Sequence, residues 1–233
     1  MEREEEFPDS KIFIRQVVSR LFAENCYIAG PRGGSRCIVV DPGLEVERIV
    51  AALTESRLTP AAIVLTHGHA DHIAGVEPLK RCYPACPIVI GKGEAPKLLD
   101  PDLNLSSNSG FDLTTPPADH LVKEGDRLDY ADLPLEVFDT PGHSSGHVVY
   151  VWKDESPWVV FGGDVLFREG VGRTDFPDGD TQQLVESIRT RLFTLPDDTL
   201  VLPGHGPSTT IGYEKEHNPF VGRAAGTQRM RFV

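Results

Sequence analysis

The sequence predicts an α/β fold in which two mixed β-sheets pack face to face with helices on their outer faces. Three observations predict it. Residues 36–90 alternate strand-like and helix-like segments in the order βαβαβ, which requires a partly parallel sheet. Residues 127–161 hold a second group of strand-like runs. A helix and a strand follow at residues 181–192 and 199–202, so helical segments stand both before and after the second strand group.

Taken in order, residues 11–18 and 24–30 have the composition of strands, and Pro31-Arg32-Gly33-Gly34-Ser35 turns the chain into a third at 36–40. That makes an antiparallel beginning, which Asp41-Pro42-Gly43 ends. Across residues 44–57, Val46, Ile49, Val50 and Leu53 recur at helical spacing until Thr59-Pro60 stops them. A strand at 61–65, a polar loop, a helix at 71–83 and a strand at 87–90 come next. From 100 to 120 the pattern dissolves, with Asn104, Ser106, Ser107, Asn108, Ser109, Gly110 and Pro116-Pro117 among scattered apolar residues. A loop of ~20 residues inside a compact domain is either a lid or substrate wall, or an idle surface excursion. Strands at 127–130, 135–139, 147–152 and 158–161 precede a helix that places Leu184, Ile188 and Leu192 on one stripe. No linker divides the chain, so residues 1–233 are expected to form one domain, with 1–10 a flexible acidic N-terminus.

The 233 residues are 39% hydrophobic, enough to bury a core. Asp and Glu outnumber Lys and Arg by 35 to 23, and a formal net charge of −12 argues against a nucleic-acid partner. Residues 1–9 carry Glu2, Glu4, Glu5 and Glu6 and no apolar core, so they do not form a secretory signal. No run approaches the ~20 apolar residues of a membrane span. A cytoplasmic protein, monomer or small homo-oligomer, is expected. Cys26, Cys37, Cys82 and Cys86 are too few and scattered for a disulfide scaffold and are expected to be buried or idle thiols, with a regulatory disulfide as the alternative.

The polar loop reads Thr66-His67-Gly68-His69-Ala70-Asp71-His72 and follows the apolar run Ile63-Val64-Leu65 directly. In an extended chain side chains alternate faces, so His67 and His69 point the same way and can share one cation. A helical zinc motif would need i, i+4 spacing instead. Asp71 and His72 fall where the chain turns into its next helix and face a different point. Four ligands aimed at two points predict two metals. A lone histidine is more often a surface or hydrogen-bonded residue, but three imidazoles and a carboxylate with only Gly68 and Ala70 as spacers are not explained by packing.

The arrangement recurs three times. An apolar strand runs into Asp139-Thr140-Pro141-Gly142-His143, another into Gly162-Gly163-Asp164, and another into Pro203-Gly204-His205. Each polar residue sits just past a strand's C-terminal end, where open α/β sheets place their sites. Singly these are ordinary turns. Together with the first loop they give five imidazoles and two carboxylates, a donor set for two borderline-soft divalent cations. His67, His69 and His143 are assigned to the first cation, Asp71, His72 and His205 to the second, and Asp164 to both.

These seven residues and the strand order resemble the metallo-beta-lactamase superfamily over nearly the whole chain, and the resemblance implies an αβ/βα four-layer sandwich. Thr140-Pro141-Gly142-His143-Ser144-Ser145-Gly146-His147, Gly163-Asp164-Val165-Leu166-Phe167 and Gly172-Arg173-Thr174-Asp175-Phe176 are similar to the glyoxalase II-like hydrolases. Gly204-His205-Gly206-Pro207-Ser208-Thr209-Thr210 and Glu216-His217-Asn218-Pro219-Phe220 are similar to their short, single-domain form. Full-length glyoxalase II adds a helical C-terminal domain that helps bind glutathione, and the stretch after His205 is too short for one. S-lactoylglutathione therefore leads the expected substrates, with another small thioester or ester as the alternative.

The expected chemistry follows. Two cations roughly 3.5 Å apart can share a water and make a bridging hydroxide available near neutral pH. They also polarise a carbonyl and hold the charge that develops on its oxygen. A thiolate leaves readily, so no dedicated acid is required. Asp71 is expected to orient the hydroxide and take its proton besides ligating. Zinc is expected first, although iron or manganese suits the same donors. Arg173 occupies a position that contacts the glutathione part in the resembling hydrolases, and its fork suits a carboxylate. The alternative is an arginine braced by Asp175 or Asp178. His147 is expected to begin a strand and to donate a hydrogen bond to the ligand set, with His120 and His217 on the surface.

The rival from another class is a persulfide dioxygenase, which resembles this chain in residues 172–176 and uses one iron held by two His and one Asp. Seven filled positions, Gly146-His147 and Gly206-Pro207 favour the hydrolase. A vestigial binding module is disfavoured because no ligand is missing. A β-lactamase of this fold is expected to carry Cys at Asp164, a flavo-diiron protein Glu at His69, and an RNA-processing member added domains or a basic face.

Overall fold

The computed structural model describes residues 2–4, 10–223 and 225. The first half of the chain forms β1 (Glu2–Glu4), β2 (Ile12–Val18), β3 (Asn25–Pro31), β4 (Arg36–Val40), α1 (Val46–Glu55), β5 (Thr59–Leu65), α2 (Ala70–Ile73), α3 (Val76–Cys82), β6 (Ile88–Gly91) and β7 (His120–Val122). The second half forms β8 (Arg127–Tyr130), β9 (Leu133–Asp139), β10 (Val148–Trp152), β11 (Val159–Gly163), β12 (Leu166–Phe167), β13 (Gly170–Val171), α4 (Thr181–Ser187), β14 (Leu200–Pro203), β15 (Thr209–Thr210) and α5 (Ile211–His217). Of the expected flexible stretch 1–10, residues 2–4 form β1 while residues 1 and 5–9 lie outside the described residues.

β1 to β7 make a seven-stranded sheet in sequence order, antiparallel up to β4 and parallel from β4 onward. The other large sheet has the order β15-β14-β11-β10-β9-β8, with a single parallel pair, β11 and β14. Alternation along each strand decides which layer a side chain joins. From β5, Ala62 and Val64 face the second sheet, where they meet residues such as Val148, Tyr150 and Phe161, while Ile63 and Leu65 face outward onto Ile49, Leu53, Val76 and Leu79 of the helices. From β10, Val149 and Val151 face outward onto Leu184, Ile188 and Ile211. Fully burying each such aliphatic side chain is worth roughly 1.5–3 kcal/mol. The result is the expected four-layer arrangement of two mixed sheets between outer helices. No helix among the described residues is long and apolar enough to cross a membrane.

Some expectations need correction. The helix read at 71–83 is two helices. Gly75 gives its N–H to the Pro42 carbonyl at 2.7 Å, and Pro78 has no N–H to return to residue 74, so the chain breaks and restarts as α3. Thr59-Pro60 does not precede a strand but begins one: Pro60 lies at the register shift between Cys37 and Ile38 of β4, a place where its missing donor is tolerated. The helix read at 181–192 is α4 continued by a π turn, Ile188–Leu192. It is capped by Asp180, which accepts from the Gln182 and Gln183 N–H groups at 2.8 and 3.0 Å. β7, the β12–β13 hairpin, β15 and α5 were not anticipated, being too short for periodicity to mark. Cys26, Cys37 and Cys86 are buried free thiols, and Cys82 is an exposed one.

The two sheets are joined along one rim. Tyr150 gives its hydroxyl to the Leu65 carbonyl at 2.8 Å, Val148 its N–H to the Thr66 carbonyl at 3.0 Å, and Tyr27 its hydroxyl to the Pro203 carbonyl at 2.8 Å. Asn25 reaches the Gly204 carbonyl with its N–H at 2.7 Å, beside a backbone bridge between Glu24 and His205. The ends of β5, β9, β11 and β14 open onto this rim.

Candidate metal centre

The loop after β5 is extended through His69 (φ −71°, ψ 150°) and enters α2 immediately afterwards, so Asp71 and His72 are carried away from the His67–His69 pair. The ligand atoms of His67, His69 and His143 all lie within 4.8 Å of one another, and so do those of Asp71, His72 and His205. Within the first group, His143 Nε2 is 3.0 Å from His69 Nδ1. Within the second, His205 Nε2 is 3.2 Å and His72 Nε2 is 3.8 Å from Asp71 Oδ2. Asp164 touches both groups: its Oδ1 lies 3.5 Å from His72 Nε2, and its Oδ2 lies 3.5 Å from His143 Nε2 and 3.6 Å from His205 Nε2. All seven sequence-predicted ligand positions therefore converge.

Close backbone approach makes the convergence possible. A Cβ at Gly204 would fall 2.2 Å from Asp164 Oδ1 and 2.6 Å from His72 Cε1, so only a glycine lets β14 deliver His205 here. Gly163, at φ 47°, turns Asp164 inward. The Asp164 N–H donates to His147 Nε2 at 3.2 Å, which leaves the His147 Nδ1–H for Thr140 Oγ1 at 3.1 Å. His147, expected as a donor to the ligand set, supports Asp164 as an acceptor instead, and its ring stacks on His67 at 4.8 Å.

The electrostatics divide the two groups. Burial, helped by neighbouring imidazoles, pushes His67 and His69 well below the ordinary histidine value, and burial lowers His143 too. These rings are neutral at pH 7 with lone pairs to give. Burial would raise Asp164 and Asp71, but the imidazoles around them outweigh it and hold both carboxyls low. Burial would lower His72, yet Asp71 and Asp164 draw a proton onto it and raise it well above its ordinary value. That pull on a proton is the pull those carboxylates would exert on a cation. Burial pushes the Glu24 carboxyl well above its ordinary value, although His72 opposes it.

Whether this set fits metal ions is tested by its unsatisfied atoms. His67 Nε2, His69 Nε2, His72 Nε2 and Asp164 Oδ1 are buried and make no hydrogen bond to any described residue. Such orphans are costly without a partner. Five imidazoles and two carboxylates around them suit a dinuclear site of divalent cations.

Three supporting residues escaped sequence reasoning. Asp41 accepts from the Thr66 N–H at 2.8 Å, from the Thr66 hydroxyl at 2.7 Å and from His72 Nδ1 at 3.1 Å, fixing the ring whose Nε2 faces the site. Thr66 Oγ1 also lies 3.1 Å from His67 Nδ1. Asp41 stands between an apolar strand and Pro42-Gly43, the same pattern that marked the other three loops, so a signal existed. Glu94, the third, lay in Gly93-Glu94-Ala95 with none.

A cavity of about 540 Å³ opens over the site. Asn104, Leu105, Asn108 and Ser109 form part of its lining, which makes the irregular 100–120 segment a wall of the site. Phe22, Phe167 and Phe176 line the cavity too, and Phe176 presents its ring to His69 and His143 at 5.0 and 5.5 Å. Arg173 reaches the cavity while its guanidinium pairs with both Asp175 oxygens at 2.7 Å and covers the Phe176 ring at 4.5 Å. Its carbonyl accepts from His143 Nδ1 at 2.8 Å. Asp178, the other expected brace, is bound to Lys97 instead. His120 lies exposed on β7, and His217 stacks on Tyr213 at 4.4 Å.

Comparison with known proteins places this geometry in context. The family model described as Metallo-beta-lactamase superfamily matches residues 19–205. The probable metallo-hydrolase YqgX of Bacillus subtilis is 42% identical over 187 residues, covering 80% of this chain and 87% of its own. The hydroxyacylglutathione hydrolase GloC of Haemophilus influenzae is 36% identical over 206 residues, covering 86% and 93%. Among solved structures, the BLEG-1 B3 metallo-beta-lactamase superposes with a TM-score of 0.85 at 40% identity over 89% of this chain and 99% of its own. TTHA1623 in a di-iron-bound form gives 0.77 at 36% over 88% and 98%, and ETHE1 from Myxococcus xanthus gives 0.72 at 33% over 89% and 84%.

Proposed function

This chain belongs to the metallo-beta-lactamase superfamily, and on that premise we propose that it is a glyoxalase II-like thioesterase, hydrolysing S-lactoylglutathione or a similar small thioester or ester. Hydrolase chemistry itself accords with the superfamily and with the probable metallo-hydrolases among its relatives. The observation that carries the finer reading is Asp164, whose carboxylate lies between the two ligand groups, within 3.5 Å of His143 in one and of His72 in the other. The similarity to GloC supports it.

In this reading His67, His69 and His143 hold one cation, Asp71, His72 and His205 the other, and Asp164 both, with zinc the first candidate. When bound, the cations would lower the pKa of water toward neutrality and polarise the scissile carbonyl. The chain's own residues do the rest. Asp71, ionised at neutral pH and facing His205 Nε2 through Oδ2, orients the attacking water and accepts its proton. The water oxygen adds to the carbonyl carbon, the carbon–sulfur bond breaks as the carbonyl re-forms, and the departing thiolate takes up the proton that Asp71 accepted or one from solvent. Phe22, Phe167 and Phe176 screen the reacting carbon from bulk solvent, and Arg173 meets an anionic part of the substrate at the cavity mouth.

Two other readings have an observation behind them. ETHE1 is a structural neighbour, and a persulfide dioxygenase-like activity at one iron would use part of the same donor set. A structure named as a B3 metallo-beta-lactamase is 40% identical, so the expected exclusion of lactam hydrolysis by Asp164 loses its force. The deciding experiment is metal analysis of the purified protein followed by assays on glutathione and CoA thioesters, a β-lactam, and glutathione persulfide with an oxygen electrode. Two equivalents of metal with thioester turnover are expected. One iron with oxygen uptake, or turnover of the lactam alone, would overturn the reading.

A further inference from the structure

Outside the seven candidate ligands, the most heavily bonded buried acid near the site is Glu94, which follows β6 and has no accessible surface. Its Oε2 accepts from the Gly68 N–H at 2.8 Å. Its Oε1 accepts from the Ser144 hydroxyl at 3.0 Å and from the Gly146 N–H at 2.9 Å. Lys97 Nζ lies 3.0 Å from Oε2 and 3.2 Å from Oε1, balancing the charge, and reaches on to Asp178 at 2.8 Å. Gly68 stands between His67 and His69; Ser144 adjoins His143. One carboxylate thus joins Gly68, between His67 and His69, to Ser144 and Gly146 beside His143, and among the described residues it makes no hydrogen bond to residues 69–72 or to the loop carrying His205.

The packing around it is equally committed. A Cβ at Gly146 would fall 2.6 Å from Gly93 backbone atoms, and one at Gly68 would fall 2.6 Å from the Lys97 Cβ. Both loops lie directly against the segment that carries Glu94. Metal–ligand distances tolerate only about 0.2 Å of error. A group that sets the separation of two ligand-bearing loops therefore sets affinity, and such supporting bonds are typically worth about 10–100-fold in metal binding.

The geometry points to Glu94 as a positioning residue for one cation of the pair, the one between His67, His69 and His143, with no comparable hold on the other. The inference rests on the dinuclear reading above. It gives the first site an adjustment of its own: Glu94 sets the loop spacing there, while Asp41 bonds His72 of the second group directly and reaches His67 through Thr66.

Glu94→Gln tests it. The amide keeps the volume but replaces one acceptor oxygen with an NH₂ group that cannot receive the bonds Oε1 or Oε2 now receives. In zinc-loaded protein dialysed against graded chelator, the variant should release one equivalent at about 10–100-fold lower chelator strength than wild type and hold the second normally. In a His205→Ala background, which weakens the other site, adding Glu94→Gln should remove the remaining equivalent. Ser144→Ala, which deletes a single bond, should shift the same equivalent by a smaller factor and serves as the readout where Glu94→Gln does not fold. Parallel loss of both equivalents, or of neither, overturns the inference. A wild-type protein that binds only one equivalent would instead overturn the dinuclear reading.

Discussion

The seven-stranded sheet brings four of the seven candidate ligands, His67, His69, Asp71 and His72, on the single loop that leaves β5, whereas the six-stranded sheet brings His143, Asp164 and His205 on three separate loops. The first sheet's contribution depends on local geometry, namely an extended pair followed by one helical turn. That of the second depends on how β9, β11 and β14 are packed and on which backbone atoms they can approach. Each sheet supplies members of both ligand groups, so neither sheet alone makes a site. Local ligands set where the cations would lie; the dispersed ones decide whether two can be held at once.

Asp164→Ala strikes this division hardest, because the residue comes from the dispersed set and faces both groups. It should remove bound metal and lower thioester hydrolysis by about 10³-fold, since the cations supply several kcal/mol and about 1.4 kcal/mol is tenfold. Elemental analysis and kcat/KM measure it. Retention of two equivalents would mean that the β5 loop needs no second sheet. Gly204→Ala is the next step down: a methyl forced against Asp164 Oδ1 and His72 should cost about 1–3 kcal/mol of stability and loosen one cation, read by thermal unfolding and metal titration. Unchanged stability would show that β14 can retreat without harm.

Arg173→Ala should act more gently, raising KM by about tenfold with kcat preserved if the guanidinium binds substrate uniformly. An unchanged KM would reduce the arginine to a brace for Asp175, with which it already pairs. The mildest test concerns the ion pair between Asp178, from the second half, and Lys97, from the first. Burial would raise the Asp178 carboxyl, but the Lys97 hydrogen bond and the Ser145 N–H outweigh it and bring it from 3.8 down to about 2. A carboxyl held low in the folded state stabilises above its unfolded value and ceases to do so as pH falls through the folded one. The Tm advantage of wild type over Asp178→Asn should therefore be constant above about pH 4 and shrink as pH falls toward about 2. A constant difference across that window would show that the ionisation of Asp178 takes no part in stability.

The same contrast explains what could be read in the sequence. His67, His69, Asp71 and His72 were visible because they are crowded into one short stretch, and His143, Asp164 and His205 because a strand-and-glycine pattern repeated. The layered fold followed from strand grouping and alternation. Glu94 was not visible because the partners that tie it to the ligand loops are 26, 50 and 52 residues away, and two of those three are backbone N–H groups, which carry no residue identity. The break between α2 and α3 was missed because Gly75 spends its N–H on Pro42, a contact periodicity cannot register. Pro60 was read as a helix stop because a proline inside a strand is tolerated only at an irregular register, and register belongs to the partner strand. α5 was missed because only Ile211 and Glu214 of its residues are buried, too few for a stripe.

The bridge between Glu24 and His205 has a thermodynamic consequence. It ties the turn before β3 to the segment after β14, so the pocket around His205 exists only in molecules whose two large sheets have met. A ligand that binds native chains and not unfolded ones adds RT ln(1 + [L]/Kd), about 2.7 kcal/mol at a hundredfold excess over Kd. Divalent ions would thereby act as a seal on finished molecules, and a fragment severed ahead of residue 204 would lose the share contributed by the cation of Asp71, His72 and His205.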